Sequence, residues 1–577
     1  STLISNTTGI YNTGVGYNAL NSNTNGNLNT GLGANALFRN LTGGYNVGVG
    51  AAVLAFNSTG QYNVGIGYAA LYNSNSGSNN VGVGAYALYT TDLTLYNVGI
   101  GYGAMNKTTT GDQNVAVGYQ ALYSNTTGVN NIAIGFKALL AASGSGNVAV
   151  GALSQTAMTT GNNNIAIGVN SMFQSTTATY NIALGTDALY TNYGGQHNVA
   201  LGWQAMYKLT TGQNNVAVGY RTQLNLTSGV DNIAIGWQAL TTNTTGSGMV
   251  AIGRSALGSA DGTQYNVAIG YQSMITTSTG DYNTAIGHRA MYSNTTGVYN
   301  TVYGYQAGYS NTSGSWNIGI GPQALYYNQA DFLTAVGVQA LYSNTTGTSN
   351  TGVGYQTLTK NTIGIQNTAV GHGAMYNNIN GAGNVGLGYQ AGYNNTTGTS
   401  NISIGYQAAY NTTTGGRNVA IGLCALWSNT TGGTQTAVGY NAMYSSDSTL
   451  YNTAIGYMAM RQNTNGDYNT AVGYQTMYWN TTGNNNIAIG HQALISNTTG
   501  GQNIAVGRAA LYNNTIGTYN TVLGYQALLT NVSGSTMVAV GAQALYSTDG
   551  TLYNVAVGYR SLYNTTTGDY NTAVGYQ

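Results

Sequence analysis

The sequence predicts an all-β chain wound as a parallel β-solenoid (a β-roll of about 34 coils), and three observations carry that expectation. A glycine recurs at 16, 33, 50 and onward to 575, in 34 copies. Of the 33 intervals, 31 are steps of 17 and two are steps of 16. The composition is rich in Val, Ile, Tyr and Thr, with 86 Gly and 50 Tyr but one proline, Pro322. Such residues suit short strands joined by Gly and Asn turns. No helical period is present, and a glycine every few residues would weaken any helix. A helical repeat usually needs about 30 or more residues, so a step of 17 is too short. It suits one coil of two short strands and two turns.

A single coil cannot bury its own apolar side, so coils stack and pair backbones. At about 4.8 Å per coil, 34 coils predict a rod of roughly 160 Å. The array is expected to run unbroken over 1–577, with shortened coils near 135–151 and 321–337. Positions are counted from the repeat glycine, negative before it and positive after it.

Position −4 is Asn in 30 of 34 copies, with Met249, Leu333, Gln435 and Met537 departing. Stacked Asn side chains can bond one another and hold the turn backbone, at about 1 kcal/mol net per bond. A sugar-binding amide row is the other reading. Position −2 is Ala or Gly in 31 of 34 copies; Val302, Ser403 and Val522 depart. Position −1 is Val, Ile or Leu in 33 of 34, with Tyr303 departing. Neighbouring strand residues face opposite ways, and the aliphatic one is expected inside. The small one would then face out, where another backbone approaches closely. That predicts several parallel rods packed together, with three favoured. The competing reading places the small residue in a tight single-chain interior.

Position +4 is Leu or Met in 28 of 33 copies and is expected in the core. The exceptions are Gln155, Gln223, Gly308, Gly392 and Ala409. Position +5 is aromatic in 20 of 33, including Tyr72, Tyr123, Tyr292, Tyr342, Trp427 and Tyr512. A packing ladder or a carbohydrate-binding stripe would both use it. Position +10 is Gly in 26 of 33 and closes a Ser-Asn-Thr-Thr-Gly turn such as Ser124 to Gly128. Positive φ is the expected reason for that glycine.

Charged residues make up 4% of the chain, there is no Glu, and the net charge is +1. That excludes an electrostatic nucleic-acid surface and leaves few acid–base groups. The expectation is of no enzyme, with no catalytic residue, cofactor or metal. Cys424 is alone and stands where other coils carry Gln, so an unreactive thiol is expected. His197, His288, His372 and His491 do not cluster along the chain. Asp92, Asp261, Asp447 and Asp549 each stand at position +8. They read as solvated turn carboxylates, not as a calcium-binding array. Asn125, Asn294, Asn344, Asn429, Asn480 and Asn497 head formal glycosylation triplets. Ice binding through Thr rows is weakened because Thr126 and Thr127 are adjacent. No apolar run approaches the ~20 residues that span a bilayer. The chain starts at Ser1 and stops at Gln577 inside a repeat, which reads as a processed or excised segment.

The run Ala133-Ile134-Gly135-Phe136-Lys137-Ala138 resembles the left-handed β-roll repeats in the heads of trimeric autotransporter adhesins. The fuller consensus with Ser-Asn-Thr-Thr-Gly resembles repetitive tail-fibre-like shafts of bacterial and phage proteins. The resemblance implies a homotrimeric extracellular fibre or adhesin shaft on a cell or virion surface, and carries no catalytic residue. A multivalent glycan- or surface-binding tail fibre is the alternative, and an ice-binding solenoid a lesser one. Self-association and a host-surface or glycan ligand are the expected partners, with no nucleic acid and no membrane insertion.

Overall fold

A computed structural model describes residues 2–577. The chain divides into two compact units, Ser1–His288 and Arg289–Gln577. The first holds β1 (Thr13–Val15) to β17 (Thr284–Ile286), and the second β18 (Thr301–Tyr303) to β34 (Thr572–Val574). Each strand is a short triplet that ends just before the repeat glycine. Within each unit successive strands pair in parallel, one coil onto the next, as in a β-solenoid. Val115, Ala116 and Val117 face Ile132, Ala133 and Ile134 in the first unit. Thr470, Ala471 and Val472 face Ile487, Ala488 and Ile489 in the second. The shortened coils keep this register, with Ile132 opposite Val148, because the deletion falls in the turn.

One strand per coil is formed where two were expected. The rest of the coil also bonds to its neighbours, but through backbone that no regular strand adopts. Gln120 has φ 52°, Leu122 φ 52° and Asn130 φ 58°, and the pattern recurs throughout both units. These are left-handed conformations at non-glycine residues, which cost about 1–2 kcal/mol each. Stacking holds them in place. Gln120 N–H donates to Tyr102 O at 2.9 Å, and Leu122 N–H to Ala138 O at 2.9 Å.

The interior phase of the strand is opposite to the expected one. Position −2 points in and position −1 points out: Ala116 is fully buried, whereas Ile134 is 40% exposed. The cause is volume. The Leu or Met at +4 lies across the small residue, so that a Cβ added at Gly99 would stand 3.0 Å from Leu88 Cγ. Two of the three exceptions support this packing. Val302 is large, and +4 of its coil is Gly308, where an added Cβ would meet Val302 Cγ2 at 3.4 Å. Ser403 lies between Gly392 and Ala409 in the same way. Val522 has no such exchange, since residues 511 and 528 are both Leu. The small-residue column is therefore filled by the chain's own core and offers no contact to another chain.

Two Asn columns complete the interior. At −4, Asn114 Nδ2 donates to Gly128 O of its own coil at 2.9 Å. Its Oδ1 accepts the Asn131 backbone N–H of the next coil at 2.9 Å. At +7, Asn497 Nδ2 donates to Asn480 Oδ1 at 2.6 Å and to Gly500 O at 2.8 Å. Buried amides are thereby matched to backbone groups that would otherwise stand unpaired.

The two glycine columns have different causes. The repeat glycine has φ near 130°, as at Gly219, and an added Cβ there would lie 2.6 Å from Gly236 O. Gly128 at +10 is not in the left-handed region. A Cβ there would meet the Gly144 carbonyl and stand 2.6 Å from Asn125 Oδ1. Contact, not positive φ, selects it.

Candidate functional site: the outward columns

With the interior assigned, the chemistry available to a partner lies on the outward columns. Position −3 is Val, Ile or Thr in every coil, and −1 is aliphatic in all but Tyr303. Together they form an apolar strand face along each unit. Ile132, Ile134, Ile165 and Ile167 are 38%, 40%, 37% and 42% exposed.

Aromatic ladders flank that face. At +5, Tyr376, Tyr393, Tyr410, Trp427 and Tyr444 stack with ring centroids 5.2–5.9 Å apart and planes within 8°. A second ladder at +1 was not singled out in the sequence, although Tyr follows the repeat glycine in the consensus. Tyr440, Tyr457, Tyr474 and His491 form one run of it. The four histidines are rungs of such ladders. His372 stacks between Tyr355 and Tyr389 at 4.9 and 5.2 Å. His197 stacks on Tyr180, and His288 on Tyr271. No group of three His, Cys, Asp or Glu converges among the described residues. Cationic side chains lie over rings as well: Arg254 is 4.5 Å from the Trp237 ring and Arg221 4.7 Å from that of Trp203.

Burial, and then neighbouring phenols, raise the pKa of Tyr190, Tyr326, Tyr342 and Tyr393, all at +5. Burial also raises the Cys424 thiol, which disfavours the reactive thiolate.

The turns carry two chemistries. In the Asn-Thr-Thr-Gly turn, the +8 hydroxyl donates to the next coil, as from Thr481 to Thr498 O at 2.9 Å. That row directs its donor along the stack. The Asn of each of the six glycosylation triplets singled out is buried. Asn125, Asn344 and Asn480 turn Nδ2 inward to the carbonyls of Gly128, Gly347 and Gly483. The nitrogen a glycan would need faces the core.

The second turn type contains all four singled-out aspartates. Thr94, Thr263, Thr449 and Thr551 replace the +10 glycine in the coils of Asp92, Asp261, Asp447 and Asp549. None of these coils has Asn at +7, so the added side chain has room. The carboxylates of Asp261, Asp447 and Asp549 are not merely solvated. Asp261 Oδ1 accepts the Thr244 N–H at 2.9 Å, and Asp549 the Val532 N–H at 2.9 Å. They cap backbone donors of the preceding coil.

Open grooves run between columns +6 and +8. One of about 730 Å³ in the first unit is lined by Arg39, Phe56, Asn73 and Asp92, among others. One of about 460 Å³ in the second is lined by Asn377, Asn394, Asn411 and Thr413, among others. No protein-family model matches this chain, and no curated protein matches it.

Proposed function

We propose that the chain is a non-catalytic structural element, the shaft of an extracellular fibre or adhesin that associates with further copies of itself. The observation that supports this best is the coil-to-coil bonding, which recurs along each unit. Val115 N–H donates to Asn131 O at 2.8 Å and Gly118 N–H to Ile100 O at 2.8 Å. Thr470 and Gly473 repeat both bonds in the second unit at the same distances. Each coil is both product and template of its neighbours, which is how a chain gains length without changing chemistry. Some departures from the repeat are compensated locally, as at Val302 with Gly308. The resemblance to adhesin heads, on the Ala133–Ala138 motif, and to tail-fibre shafts, on the consensus with Ser-Asn-Thr-Thr-Gly, supports the same reading.

The second reading is multivalent glycan binding. It is favoured by the outward rings from Tyr376 to Tyr444, beside the amide-lined groove of Asn377, Asn394 and Asn411. A glycan array probed with the purified chain separates the two. The fibre reading expects no sugar-specific binding. Binding that is lost in a Y393A/W427A variant would replace it with the second reading.

A further inference from the structure

The strand face of the first unit turns an aliphatic surface to solvent. Positions −3 and −1 there comprise 34 side chains, of which 31 are Val, Ile or Leu and three are Thr. None is charged. At about a third exposed and ~100 Å² each, those aliphatic groups present on the order of 1,000 Å² of apolar surface. A soluble monomer rarely carries more than a few hundred Å² in one patch. A stable complex buries about 800 Å² per partner.

We propose that this face is an interface, and that its occupant is the same face of a second copy of this chain. Three features of the surface point to a copy. Its area meets what a stable pair needs. It carries no charge, so two copies meet without like-charge repulsion and without stranding an ion. Its rungs repeat at one strand spacing, so an identical array can place its own rungs between them, as stacked sheets do at about 10 Å. One self-complementary patch closes a pair, because the same surface serves both partners. The second unit is a natural contrast: Thr stands at −3 in nine of its 17 strands, against three of 17 in the first. The inference rests on the fibre reading only in taking the chain to self-associate. It replaces the small-residue column with a different surface.

The test is the mass of the intact chain by sedimentation over a concentration series, with three sequences compared. The wild type is expected to be a two-chain species. I134K/I167K/I235K in the first unit should be a single chain with an unchanged circular-dichroism melt, since these side chains point out. V438K/I489K/V557K in the second unit should remain a pair. If the lysine variant fails to fold, I132T/I165T/I233T imposes the second unit's own residue and should weaken pairing at least about tenfold. A wild type that stays a single chain at every concentration overturns the proposal. So does a trimer, or a pair that the first-unit variants leave intact. Glycan binding with pairing unchanged would sink the fibre reading and leave this inference standing.

Discussion

The two units share an interior and differ outside. Both fill the core with Ala or Gly at −2, Leu or Met at +4 and buried Asn. Outside, the first unit has an aliphatic strand face with Val or Ile at −3 in 14 of 17 strands, and the second has them in eight of 17. The +5 column is the reverse: it is aromatic in seven of 16 coils of the first unit and in 13 of 17 of the second. The second also carries the glutamine ladder at +2, as where Gln356 Nε2 donates to Gln339 Oε1 at 2.8 Å and Gln407 to Gln390 at 2.9 Å. Interior columns vary at few coils because each side chain is bounded by the coils on either side. Exterior columns can drift, provided each rung matches the next. The difference teaches where variation is tolerated, and hence where a partner can be recognised.

The largest effects should fall on what the units share. Gly219→Val and Gly405→Val each force a β-branched side chain to φ near 129° with its Cβ 2.6 Å from the next coil's carbonyl. Each should lose about 3 kcal/mol or more. Hydrogen exchange should show neighbouring coils opening in both units alike. A clear difference between the units would break the claim of a common interior.

Next comes the packing exchange. Ala335→Val sets a larger side chain against the core leucines and should cost about 1–3 kcal/mol. Leu341→Gly in the same coil, copying Val302 with Gly308, should recover part of that cost. A double-mutant cycle on thermal melts measures the coupling, and additive losses would refute the exchange.

The Asn columns should follow. Asn367 donates to Gly381 O at 2.7 Å and accepts the Asn384 N–H at 3.0 Å. Asn367→Ala leaves both backbone groups without that partner, at about 1–3 kcal/mol. Asn198→Ala in the first unit should cost the same.

The smallest effect separates the units. Three of the four +5 tyrosines with raised pKa, Tyr326, Tyr342 and Tyr393, lie in the second. A raised phenol pKa means that the fold favours the neutral ring. Its contribution is complete below the unfolded value of about 10 and is lost as pH rises through the folded value. Melting temperature should therefore fall above about pH 10, and fall less in a Y326F/Y342F/Y393F variant. Identical alkaline profiles would remove the ladder from the cause.

Much of this was legible in the sequence. The spacing of the repeat glycines gives the coil, and the Leu/Met and Asn columns give two of its inner faces. The strand's phase was not legible by alternation, which yields a period of two but not which set is inside. Both −2 and −1 are apolar, so hydrophobicity alone could not choose. The paired exceptions Val302–Gly308 and Ser403 with Gly392 and Ala409 were visible, and volume exchange between them would have decided it. The left-handed backbone at Gln120 and Leu122 was hidden, because in those two columns glycine stands only at Gly103, Gly373, Gly308 and Gly392. The aspartates read as solvated because a partner one full coil away along the chain is a neighbour only once the coil is known.

The inside-and-outside assignment of the strand carries both the core and the interface. Thiol labelling of A116C and V117C, each in a C424S background, tests it most directly. The account predicts fast labelling at position 117 and none at 116 until the chain unfolds. Rapid labelling at 116 with protection at 117 would invert the strand and contradict it.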